Sequence, residues 1–122
     1  MRIVFDIDGT LCEFTTDYSK YHESKPFKPM VELINDMYNR GHYIIVQTAR
    51  GMGSCGGIVA KAYNKWYSKT EAQLESWGLK YHELHLGKPH GDVYVDDKAF
   101  RMNPDGSSVG DLKRFLEEME CD

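Results

Sequence analysis

The stretch Ile3-Val4-Phe5-Asp6-Ile7-Asp8-Gly9-Thr10-Leu11, IVFDIDGTL, decides how this chain is read. Its apolar opening has the composition of a buried strand, and in a strand residues i and i+2 face the same side. Asp6 and Asp8 therefore share a face. At roughly 5 Å and an effective dielectric of about 20, two carboxylates repel by about 3 kcal/mol, a large cost beside the stability of a small domain. Three arrangements offset it: a divalent cation such as Mg²⁺, a lysine, or a proton shared by the pair. A purely local alternative is an Asx-turn in which Asp8-Gly9 closes the strand.

With 122 residues the chain is expected to form a single domain, residues 1–122, with one core and one site. A formal charge of −4 and a pI of about 5.7 argue against holding nucleic acid by bulk electrostatics, while leaving a nucleotide substrate open. No long apolar stretch and no basic-then-apolar leader is present, so no membrane partner is expected and a cytoplasmic location is. Cys12, Cys55 and Cys121 are odd in number and scattered, which fits reduced thiols, with Cys12 as a small buried hydrophobe.

Beyond the first strand, residues 12–27 lack a clear period and read as a loop or short hairpin, a candidate flap. Met30, Leu33, Ile34, Met37 and Tyr38 recur at helical spacing, with Pro29 in the first turn and Gly41 as a stop, predicting a helix over about 29–40. His42 to Gln47 is β-rich and delivers Thr48, Ala49 and Arg50 at its carboxyl end. Residues 51–57, GMGSCGG, must be mobile or tightly turned; no Gly-Lys-Ser/Thr follows, so they form an active-site rim rather than a phosphate loop. Helical spacing runs from Ile58 to Trp77, and Ser68-Lys69-Thr70-Glu71 has capping-box form, which allows two helices there. Residues 81–86 alternate as a third strand ending at Gly87-Lys88-Pro89, and Val93-Tyr94-Val95 reads as a fourth, stopping on Asp96-Asp97. Residues 103–108 form a loop before an amphipathic closing helix marked by Leu112, Phe115, Leu116 and Met119.

Alternating strands and helices imply an α/β fold, a Rossmann-like parallel sheet flanked by helices, with ligands at the carboxyl ends of the strands. Asp6, Asp8, Thr48, Lys88, Asp96 and Asp97 are expected to meet at that edge. Several carboxylates with a lysine and Mg²⁺ suit phosphoryl transfer: one carboxylate attacks phosphorus and a second moves the leaving-group proton.

The ordered set Asp6-Ile7-Asp8-Gly9-Thr10-Leu11, Thr48, Lys88 in Gly-Lys-Pro, and Val95-Asp96-Asp97 resembles the four motifs of the haloacid dehalogenase-like (HAD) hydrolase superfamily. The resemblance implies a Mg²⁺-dependent phosphatase with Asp6 as nucleophile, forming an aspartyl-phosphate, and Asp8 as general acid/base that also reaches the metal. It assigns Thr48 and Lys88 to the phosphoryl oxygens and Asp96 and Asp97 to the metal together with Asp6 and Asp8, with Asp97 as the inner ligand and Asp96 as partner to Lys88; Ala49 and Arg50, beside Thr48, are further candidates for substrate contact. Arg50 has two readings, a second anionic group of the substrate or an aspartate of the site. Stretches around Thr48-Ala49-Arg50-Gly51, Trp77-Gly78 and Asp97-Lys98-Ala99 look like small phosphatases of capsule and surface-polysaccharide biosynthesis, implying a sugar phosphate or related metabolite. A nucleotide or polynucleotide-end phosphatase shares every motif. The short segments after the first and third strands leave no room for a cap domain, so the substrate is allowed to be large, or a homo-oligomer supplies the lid.

Two non-enzymatic readings stand beside these. A response-regulator receiver domain has a similar length and residue set, but its acidic pair follows the first strand and its Lys-Pro comes last; here Lys88-Pro89 precedes Asp96-Asp97. A metal-binding scaffold that has lost turnover and serves as an interaction module is the other, and the presence of every motif residue weighs against it. His82 and His85, three apart in a strand, face opposite sides and do not suit one metal.

Overall fold

The computed structural model describes residues 1–121. Strand β1 (Arg2–Phe5), helix α1 (Lys28–Asn39), strand β2 (Tyr43–Thr48), helix α2 (Val59–Ser76), strand β3 (Glu83–Leu86) and helix α3 (Val109–Glu120) follow in order, with a short 3₁₀ helix at Tyr18–Glu23. The expected α/β fold is what forms. The sheet has three parallel strands in the order β1-β2-β3.

Phe5 pairs with Val46 and Thr48 with Leu86, so the chain leaves all three strands at one edge. That register brings Asp6, Thr48 and Lys88, far apart in sequence, to a common place. Backbone bonds fasten it: the Lys88 N–H donates to the Thr48 carbonyl at 3.2 Å, and the Thr10 and Leu11 N–H groups both donate to the Ile7 carbonyl in a tight turn.

Alternate strand positions, Ile3, Phe5, Ile44, Val46, Leu84 and Leu86, share one core with Met30, Ile34 and Met37 of α1, Trp66 and Leu74 of α2, and Leu112 and Leu116 of α3. Each large side chain buried in this way contributes about 1.5–3 kcal/mol. The opposite strand face carries Arg2, Val4, Tyr43, Ile45, Gln47, Glu83 and His85, none of which belongs to that core.

Helix α1 lies where the sequence places it. Helix α2 is one continuous helix, so the capping-box form at Ser68 does not start a second one. Thr70 faces inward, fully buried, with its hydroxyl beside Arg50, and the helix stops only at Gly78, which takes φ +71°. Residues 51–57 are tightly turned: the Cys55 N–H donates to the Gly51 carbonyl and the Gly57 N–H to the Met52 carbonyl. Gly51 is required at its position, because it takes φ +81° and a Cβ there would run into the Trp66 ring.

Val93-Tyr94-Val95 does not form a fourth strand. It belongs to no ladder, and its side chains are exposed, Val95 almost completely. The reason is the length of the connection. Residues 87–92 supply six residues between β3 and this segment, whereas a crossover between parallel strands takes about a dozen or more.

Candidate active site

The carboxylate repulsion anticipated at Asp6 and Asp8 is met by two cations, one for each acid. Lys88 places its Nζ 3.5 Å from the Asp6 carboxylate. Arg50 grips Asp8 with both arms of its fork, Nε and Nη2 each donating at 2.9 Å to a different carboxylate oxygen. Burial pushes the Asp6 carboxyl above the usual carboxylate range, against the downward pull of Lys88. For Arg50, burial works against the charge, but hydrogen bonds and the negative charge of Asp8 hold the guanidinium above its usual range.

Arg50 itself is 2% exposed, and both donors of its Nη1 have partners as well. Nη1 donates to the Gln73 side-chain oxygen at 2.7 Å and lies 3.4 Å from the Thr70 hydroxyl. Gln73 in turn donates to the Tyr21 carbonyl at 2.7 Å, and the Tyr21 ring lies 4.6 Å under the guanidinium. Of the two readings of Arg50, the geometry supports pairing with an aspartate. A direct substrate contact would require breaking that fork.

Thr48 is buried, and its hydroxyl oxygen accepts the Arg50 backbone N–H at 3.1 Å. Ala49 is half-buried between them. Cys12 is buried as expected, with its thiol donating to Asp8 Oδ1 at 3.6 Å, and burial with the adjacent carboxylate pushes it up to about 12. It is an inert donor rather than a nucleophile.

Asp96 and Asp97 stand elsewhere. Both are exposed, and Asp96 caps its own turn by accepting the Lys98 N–H at 2.8 Å. The expected pairing of Asp96 with Lys88 does not form: Lys88 takes Asp6, and its Nζ lies 4.2 Å above the Tyr94 ring. Among the described residues, no three His, Cys, Asp or Glu side chains converge as a metal set. Asp6 and Asp8 are the carboxylates that would hold Mg²⁺, which is usually bound by one or two carboxylates with waters and phosphate oxygens, and each of them is engaged here by a cation of the chain. The Asp96-Asp97 pair is separated from them because the segment that carries it never joins the sheet.

A family model described as the polynucleotide kinase PNKP phosphatase domain matches residues 1–100. The chain belongs to this family. Its members are HAD-type phosphatases, hence phosphoric monoester hydrolases. Among solved structures, this HAD-type phosphatase is similar to a structural-genomics target from Vibrio cholerae, at 26% identity and a TM-score of 0.75, over 95% of this chain and 99% of that one. A D,D-heptose 1,7-bisphosphate phosphatase from B. bronchiseptica, complexed with magnesium and phosphate, shares the fold at 17% identity and a TM-score of 0.51. That match covers 96% of this chain and 64% of the other. No curated protein matches the sequence. No helix among the described residues is long and apolar enough to cross a membrane.

Sequence reasoning missed the residues behind the Asp8–Arg50 pair. Gln73, Thr70 and Tyr21 hold Arg50, yet they lie up to 52 residues apart in the chain, and a polar residue on a helix face reads as solvated until the fold buries it. One signal was present: Thr70 and Gln73 interrupt the apolar stripe of α2 at three-residue spacing, on the inward face.

Proposed function

We propose that this HAD-type phosphatase hydrolyses phosphomonoesters by an aspartyl-phosphate route centred on Asp6 and Asp8. The observation that carries the reading is the separate pairing of the two carboxylates, Asp6 with Lys88 and Asp8 with Arg50. An Asp6 carboxylate oxygen attacks phosphorus; the bond from phosphorus to the leaving oxygen breaks, and Asp8 gives that oxygen a proton. Asp8 then takes a proton from water as its oxygen attacks phosphorus, which releases inorganic phosphate and restores the Asp6 carboxylate. Lys88 and the Thr48 hydroxyl, at the same sheet edge, hold the phosphoryl oxygens. The bidentate fork fixes the orientation of the Asp8 carboxyl group relative to Asp6. A requirement for Mg²⁺ belongs to this reading, with Asp6 and Asp8 as the carboxylates that would hold it and no third acidic side chain beside them among the described residues.

On substrate, a sugar phosphate or related metabolite of polysaccharide biosynthesis is the reading from local sequence context. A cleft of about 520 Å³ favours a second reading, a nucleotide or nucleic-acid end. Arg50 lies at its floor, and the aromatic rings of Tyr18, Tyr21 and Trp66 line it with His22, Lys65 and Lys69. The two lysines sit 5.7 and 5.2 Å from the Trp66 ring. Rings with flanking cations suit a base with a further phosphate. The match to a polynucleotide kinase phosphatase domain supports the same reading.

Phosphate release from sugar phosphates, mononucleotides and 3′- or 5′-phosphorylated oligonucleotides, with Mg²⁺ and with EDTA, tests both levels. Turnover abolished by EDTA and confined to one class is the expected result. A folded protein that turns over no class overturns the enzymatic reading.

A further inference from the structure

The sheet of this chain stops one strand short. Among the described residues β1 pairs with β2 on one side and with no strand on the other, and Val4 in its middle is 51% exposed. All-parallel sheets occur almost only where both faces are covered, and an unpaired edge is a template for another strand. The chain also carries a segment of strand composition with nothing to pair with: Val93, Tyr94 and Val95 are 76, 49 and 97% exposed, and Asp96 and Asp97 follow directly.

That segment does not reach the β1 edge of its own chain. It would have to leave the carboxyl end of β3, cross β2 and β1, and return to the amino end of the sheet, a path of about a dozen residues or more for which six are available. The six are not free either. Lys88 is tied to Asp6 and, through its backbone, to Thr48, while the Tyr94 hydroxyl donates to the Pro89 carbonyl and accepts the Gly91 N–H. The base of the arm is thus fastened at the site, and its tip, with both aspartates, is turned to solvent.

We propose that the arm serves a second copy of this chain. Residues 93–95 of one protomer add as a parallel strand to the free edge of β1 in its partner, reciprocally, so that the interface closes about a two-fold axis. A parallel strand on β1 ends beside Asp6, just as residues 93–95 end on Asp96-Asp97. The partner's Asp96 and Asp97 then complete, with Asp6 and Asp8, the carboxylate set that a single chain lacks. Fit of the backbone favours this occupant: among the described residues β1 has an edge with no strand on it, and the arm is an exposed apolar triplet of strand composition for which its own sheet is out of reach. The inference rests on Asp6 and Asp8 as the reacting pair, and it makes the active site a property of the dimer.

Sedimentation velocity of the wild-type chain and of Val95→Asp, with far-ultraviolet circular dichroism of both, is the first test. The wild type is expected to sediment as a dimer and Val95→Asp as a folded monomer. Calorimetric titration with Mg²⁺ should show the affinity of Val95→Asp reduced at least tenfold, although every aspartate is retained. Complementation is the second test. Asp6→Asn and the Asp96→Asn/Asp97→Asn double variant, each inactive alone, are unfolded together and refolded as an equal mixture. Random pairing makes half the dimers mixed, each with one intact site, so about a quarter of wild-type activity returns. A wild-type monomer that binds Mg²⁺ as tightly as Val95→Asp does overturns the proposal, as does a mixture no more active than its parts when the wild type is active. If the wild type releases no phosphate, the enzymatic reading falls while sedimentation and Mg²⁺ affinity still decide the exchange.

Discussion

Two pairs of aspartates in this molecule are treated in opposite ways. Asp6 and Asp8 leave β1 largely covered, their side chains 33 and 14% exposed, and each has its own cation. Asp96 and Asp97 sit in water on a segment outside the sheet. Desolvation explains the difference. A carboxylate withdrawn from water needs a partner of opposite charge in good geometry, and the strand register supplies Lys88 and Arg50 to the first pair only. The contrast teaches that the pairing of Asp6 and Asp8 with their cations is built within one chain, whereas Asp96 and Asp97 have no such partners in the structure.

The comparison breaks most sharply at Asp6. Asp6→Asn keeps the size of a half-buried side chain and removes the attacking oxygen, so phosphate release should fall by about a thousandfold or more while the melting curve stays in place. Undiminished turnover in this variant would sink the assignment of the nucleophile.

Arg50 offers the next largest effect, and it falls on stability as well as activity. Arg50→Ala leaves the Asp8 charge, Gln73 and Thr70 without their buried partner, which should cost about 3–5 kcal/mol in chemical denaturation. Arg50→Lys keeps the charge and loses the fork. It should recover part of that stability while kcat stays well below wild type, because Asp8 is no longer oriented. Equal recovery of both would mean that charge alone matters.

Gly51→Ala sharpens the comparison by touching the wall of the floor and not its charges. The residue would need an unfavourable positive φ and its methyl would displace the Trp66 ring, so a loss of about 1–3 kcal/mol in denaturant unfolding is expected. The smallest effect concerns the thiols. With Cys12 pushed up to about 12 by burial and by Asp8, iodoacetamide at pH 8 should label the exposed Cys121 in the native protein and Cys12 only after unfolding. Native labelling of Cys12 would show that the floor opens.

Much of this was legible in the chain. The apolar runs at Ile3 and Ile44 and the helical spacing from Met30 and Ile58 mark the strands and helices that form, because burial of one face imposes its period on the residues that provide it. Asp6, Asp8, Thr48 and Lys88 were legible as a set, because in a parallel sheet the carboxyl ends of the strands share one edge. The partners of Arg50 were not legible. Nothing local ties Tyr21 to Gln73; packing of the 3₁₀ helix against α2 does. Val93-Tyr94-Val95 misled because its composition suits a strand, while strand formation also needs a neighbour within reach. The six-residue connection that forbids it was visible in the sequence all along.

By itself, then, the sequence determined the order of the three strands and three helices that form, and that Asp6, Thr48 and Lys88 stand at the strand ends, since both follow from local period and from the geometry of a parallel sheet. Only the tertiary structure decided which cation meets which carboxylate, that Arg50 is buried against Asp8, and that Asp96 and Asp97 remain outside the sheet. Those outcomes depend on distances between residues remote in the chain, and such distances are set by packing and by the reach of connecting segments, which no local pattern encodes.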